Sequence, residues 1–147
     1  MSMTGLDVFD TTVHKTNGWL RELIEELGTE NRLTAYRVLR ATLHALRDRL
    51  TMDEVAQLGA QVPMLVRGFY YEGWDPTHVP RKERHKQQFL SRIEQELRGD
   101  ERLDPEIVAR AAFAGLEKRV TEGEIEDVRQ VLPEQIRQLW PEPSLRR

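Results

Sequence analysis

The chain contains no cysteine, so it can form no disulfide and offers no thiolate to a metal. Charge of one sign is lacking as well. A net charge of -3 gives no overall bias toward polyanions or cationic surfaces, and 32% charged residues against 39% in the AVILMFWYC set is a globular balance. No apolar run approaches the roughly 18 to 20 residues of a membrane span. The first residues, Met-Ser-Met-Thr-Gly-Leu-Asp, have neither a basic n-region nor an apolar h-region. The expectation is a soluble, cytoplasmic protein with no membrane partner.

What is present is a duplication. With an offset of 70 and no gap, residues 89–140 fall on residues 19–70. Leu90, Glu96, Leu97, Arg102 and Leu103 match Leu20, Glu26, Leu27, Arg32 and Leu33. Val108, Arg110, Ala111, Leu116, Arg119, Thr121, Glu124, Pro133 and Arg137 continue the identities. Other partners are apolar swaps, such as Trp19 with Phe89, Leu43 with Phe113, Val55 with Ile125 and Val66 with Ile136. A match of this length implies one helical unit used twice.

The apolar spacing is helical. Phe9, Val13, Leu20, Leu23, Ile24 and Leu27 recur at steps of three and four, which predicts a first helix over residues 11–27, ended by Gly28. A second helix opens at residues 31–34 and presents Ala35, Val38, Leu39, Thr42, Leu43, Leu46 and Leu50, with Arg37, Arg40, Arg47 and Asp48 on or near its wet side. Thr51-x-x-Glu54 and Thr121-x-x-Glu124 read as capping boxes that open a third helix in each unit. Pro63 and Pro133 suit the first turn of a short fourth one. The prediction is an all-α, single-domain helical bundle of two tandem four-helix repeats, residues 9–73 and 81–140, with a linker over 71–80. The two units are expected to face each other about a pseudo-twofold axis and to bury Phe69, Tyr70 and Trp140.

Three stretches carry a family resemblance. Residues 120–140, with their Gly123-Glu124 and Leu132-Pro133 elements, the first-unit run from Leu50-Thr51 to Pro63, and Tyr71-Glu-Gly-Trp74 resemble the bacterial domain-of-unknown-function family 2267. The resemblance spans residues 9–140 and implies a duplicated helical domain of bacterial origin. It brings no catalytic residue with it.

The residues offer no assembled chemistry. His14, His44, His78 and His85 follow no metal-ligand spacing and read as surface histidines, and their offset partners are Arg84, Ala114, Val8 and Lys15, which excludes a duplicated metal site. Glu25 with Glu26 and Glu124 with Glu126 point about 100° apart or more on a helix and share no proton, and Glu124 is assigned to its cap. No nucleophile, oxyanion hole or phosphate loop accompanies them, so no catalytic, cofactor or metal residue is assigned. The duplicated arginines, Arg32/Arg102, Arg40/Arg110, Arg49/Arg119 and Arg67/Arg137, read as helix-end cations and ion-pair ties, although a symmetric groove lined by them would suit an anion.

The sharpest local feature is Arg81-Lys82-Glu83-Arg84-His85-Lys86. Arg81, Lys82, Arg84 and Lys86 are predicted to form an exposed strip at the start of the fifth helix, because Phe89, Leu90 and Ile93 claim its buried face. Such a strip can meet phosphates, but no recognition helix or stacking platform accompanies it. The favoured expectation is a non-enzymatic protein-interaction or regulatory module with a protein partner. A nucleic-acid-associated protein using the strip is the alternative, and an enzyme with a site between the repeats is the third.

Overall fold

A computed structural model describes residues 2–78, 82–98 and 100–142. Among them are eight α-helices and no strand. No described helix is long and apolar enough to cross a membrane.

The first four helices are α1 (Asp7–Leu27), α2 (Arg32–Arg47), α3 (Met52–Gln61) and α4 (Met64–Tyr71). A 3₁₀ turn, Pro76–His78, precedes α5 (Lys86–Glu96), α6 (Pro105–Arg119), α7 (Glu122–Val131) and α8 (Glu134–Arg137). Helix α1 starts a full turn before the expected residue. Its first turn holds Asp7 and Asp10, which favour the positive helix end. The Asp10 carboxylate also accepts from the Ser2 hydroxyl (2.6 Å) and from the Thr4 amide and hydroxyl (2.9 and 2.8 Å), which hold its carboxyl below the usual range. Gly28 ends α1 with φ 71, a left-handed conformation that glycine adopts without a Cβ clash.

Short polar side chains start the inner helices. Asn31 accepts from the Thr34 amide, Asp104 from the Glu106 amide, Thr51 from the Glu54 amide and Thr121 from the Glu124 amide. The two threonine caps make only this half of the expected box. Neither glutamate side chain returns to its cap residue's amide, and Thr121 N–H donates instead to Gln61 Oε1 at 3.3 Å.

Helix α2 lies at the centre, in contact with α1, α4, α5 and α6, while α6 packs against α1, α2 and α5. Helices α3 and α7 meet each other away from that centre. Fully enclosed side chains include Leu43, Leu46, Tyr70, Phe89, Phe113 and Ile136, and the Trp140 ring stacks on Phe113 at 4.2 Å. As expected, Phe69, Tyr70 and Trp140 are buried. Gly59 has a packing reason. A Cβ there would meet Tyr71 Oη at 2.6 Å, so α3 approaches the end of α4 only because that side chain is absent.

The crowding of α2 overturns two expectations. Arg47, placed near the wet side by its spacing, is buried and donates to the carbonyls of Tyr70 (2.6 Å) and Glu72 (2.7 Å), closing the end of α4. His44, read as a surface histidine, is buried between Glu96 Oε1 (2.8 Å from Nδ1) and the Phe69 carbonyl (2.6 Å from Nε2). Both lie on a helix packed by four others, where few positions stay wet. Arg67 ties α4 down through carbonyls, not the expected ion pair, donating to Gly59 O and Val62 O at 2.6 and 2.9 Å.

Candidate functional site

Helix α1 carries its apolar stripe further than the core extends. Trp19, Leu20 and Leu23 are buried, but Phe9 is 46% exposed and Val13 is half-buried, so the predicted core stripe emerges onto the surface. Beside them runs an open groove of about 590 Å³ between α1, α2 and α4, walled by Val13, Leu20, Tyr36, Leu65 and Phe69 and ended by Glu72. Leu65 is exposed, and its amide donates to Thr12 Oγ1 at 2.9 Å, which joins α4 to α1 along this wall. Tyr36 stands edge-on to Phe69 at 5.2 Å. Arg32 donates to Asn17, which lines the groove, and Arg40 bridges Glu72, also in the lining, and Glu96 (3.3 and 3.1 Å). The lining is mainly apolar, with Thr16, Asn17 and Glu72 as its polar members.

Arg81 lies outside the described residues, and α5 begins only at Lys86, so Lys82 and Arg84 precede the helix and are exposed. Lys86 pairs with Glu106 at 3.2 Å, and its amide donates to Gln135 Oε1 at 2.8 Å, which spends that position on tying α5 to α6 and α8. Glu83, inside the run, faces Arg49 (3.8 Å) and Arg92 (3.6 Å). Of the duplicated arginines, Arg49 is buried over the Phe89 ring on α5, and Arg119 reaches α1, where it bonds Gly18 O (3.0 Å) and Glu22 (3.5 Å). Arg110 pairs with Glu106 at 2.9 Å and Arg102 with Asp100 at 3.0 Å. The Arg102 hydrogen bonds hold the Asp100 carboxyl down at about 2.

One group was missed by sequence reasoning. Glu54 of α3 and Glu124 of α7, partners at the offset of 70, are both buried and meet side chain to side chain. With Asp127 they form a carboxylate trio whose oxygens lie within 4.8 Å of one another. Burial first, then the hydrogen bond to Glu54 and the negative charges of Glu54 and Asp127, push the Glu124 carboxyl up to about 8. The Glu124 carboxylate thus belongs to this contact and not to its cap. The trio has the oxygen chemistry of a hard-cation site. A signal was available: Glu54 stands one turn before Leu58, and Glu124 one turn before Val128, on the faces that those residues bury.

The threonine-capped helices α3 and α7, Leu132-Pro133 and most of the buried core lie between residues 16 and 139. No curated protein matches the chain. The family described as "Uncharacterized conserved protein (DUF2267)" matches residues 16–139, and the chain belongs to that family.

Proposed function

We propose that the chain is a non-enzymatic interaction module, built from two tandem four-helix units about an approximate twofold axis, that takes an amphipathic helix of a protein partner in the groove between α1, α2 and α4. The carrying observation is the groove itself, with exposed Leu65 in its wall and exposed Phe9 one turn before Val13 on α1. Contiguous exposed apolar surface of this kind marks contact sites, and a helix laid in a groove fills it with anchors spaced three and four residues apart. Asn17 and Glu72 in an otherwise apolar lining favour a partner helix that is apolar along one stripe and charged at its margins. The twofold reading draws support from the reciprocal packing of α1 on α6 and α2 on α5, and from Arg49 and Arg119 each reaching the other unit's first helix.

A photo-crosslinking residue in place of Leu65, used in the native cell, tests the reading. The expected result is one protein crosslinked through a helix, lost on Phe9→Asp with Val13→Asp and retained on Arg84→Glu. A crosslink indifferent to the groove substitutions, or one only to a second copy, overturns it. Exposed Lys82 and Arg84 favour the nucleic-acid alternative. That alternative requires oligonucleotide binding that falls steeply with salt and disappears when Arg81, Lys82, Arg84 and Lys86 are all reversed to Glu.

A further inference from the structure

We propose that Glu54 and Glu124 form a proton-held clasp between α3 and α7, so that losing the shared proton loosens this contact and makes the fold sensitive to pH. The device is separate from the groove. Both glutamates stand at the third position of a threonine-capped helix, with their amides on Thr51 and Thr121 and their carboxylates turned toward the facing helix. Each is only 7% exposed. Glu54 Oε1 and Glu124 Oε2 are sealed from solvent and receive no hydrogen bond from a donor group of the protein. Two ionised carboxylates at this distance repel, and two buried acceptors facing each other are left unsatisfied, so a proton between them answers both problems.

The surroundings supply no substitute for that proton. From α7 the nearest charge is Asp127, which adds negative charge. Tyr70, from α4, is held neutral by burial and donates its hydroxyl to Val55 O at 2.8 Å, not to either glutamate. Arg47, from α2, commits its guanidinium to Tyr70 O, Glu72 O and Asp48. Among the described residues no cation pairs with Glu54 or Glu124.

The sign follows from linkage. The folded-state value near 8 lies above the ordinary 4.5, so the unfolded chain loses this proton first. The stability it contributes is fully present below about 4.5, declines as pH rises, and is gone once pH passes 8. Asp100, held low, acts with the opposite sign and only in the acid range, so it does not enter this window.

Thermal and urea unfolding of the full chain from pH 5 to 9, for the parent, Glu124→Gln and Glu54→Gln, tests the clasp. Glutamine copies the protonated shape without a titration. The parent is expected to lose stability relative to Glu124→Gln between pH 5 and 8, with a difference slope approaching about one proton per unfolding event, and to fall below the variant at pH 8.5. Parallel profiles would falsify the proposal. Carboxyl carbon NMR of the parent reads the proton directly and does not depend on a variant folding. One glutamate titrating near neutral or alkaline pH supports the clasp, and both titrating in the usual carboxylate range overturn it. Manganese chloride at pH 8.5 adds a third arm: a midpoint raised in the parent but not in Glu124→Gln makes the pair a cation site and overturns the proton clasp, while no change supports it.

Discussion

Helices α1 to α4 and α5 to α8 share their apolar positions but not their polar ties. Leu43 and Phe113, Val55 and Ile125, and Val66 and Ile136 are buried in both halves. The polar partners have been exchanged: His44 matches Ala114, Arg47 matches Glu117, and Gly59 matches Arg129. The chain leaving the fourth helix is nevertheless held by an arginine in each half. Arg47 of α2 donates to Glu72 O in the first, and in the second Arg129 of α7 donates to Pro141 O at 3.4 Å while standing 3.8 Å from Glu117. A packed interior tolerates only swaps of similar shape, whereas a guanidinium can reach the same kind of carbonyl from a different helix. The halves differ at their edges too: α1 has 21 residues against 11 in α5, and α4 has 8 against 4 in α8. The apolar groove belongs to the half with the longer helices.

The comparison breaks first in the core. Phe113→Ala should cost about 3–5 kcal/mol and Leu43→Ala about 2–5 kcal/mol, because both side chains are fully enclosed. Urea unfolding should show each as a shift of one shared transition. Two separate transitions would mean that the halves fold independently.

The exchanged arginines come next. Arg47→Met should cost about 2–3 kcal/mol by orphaning two carbonyls at the end of α4. Arg129→Met should cost less, since its bond to Pro141 O is longer and only partly enclosed. Equal losses in chemical denaturation would remove the asymmetry between the halves.

The caps should restore symmetry. Thr51→Ala and Thr121→Ala each lose one helix-start hydrogen bond and should each lower stability by about 1 kcal/mol at unchanged denaturant slope. The smallest effect is expected at the strip. Lys86→Gln removes a partly exposed pair with Glu106 and should move stability by less than about 1 kcal/mol, measured by the same titration at low and high salt.

Much of the fold was legible because its signals are local. Gly28 at a helix end, Asn31 and the two threonines at helix starts, and the steps of three and four through Leu20, Leu23 and Leu27 depend on residues within a turn or two. The candidate sites were less legible. Phe9 and Val13 continue the core stripe in the sequence, yet Phe9 is exposed and Val13 only half-buried. Glu124 fits a capping box in the sequence, yet its carboxylate faces Glu54. The strip was expected to begin a helix, yet α5 starts at Lys86.

The sequence by itself determined an all-α chain, the matching of its halves, and most helix starts and stops, since each follows from periodicity and from backbone groups that a neighbouring side chain must satisfy. Only the tertiary structure decided that α2 is packed on several sides, which buries Arg47 and His44, and that α3 meets α7, which joins two glutamates 70 positions apart. Burial and charge pairing depend on which elements come together, and no spacing along one helix specifies its neighbours.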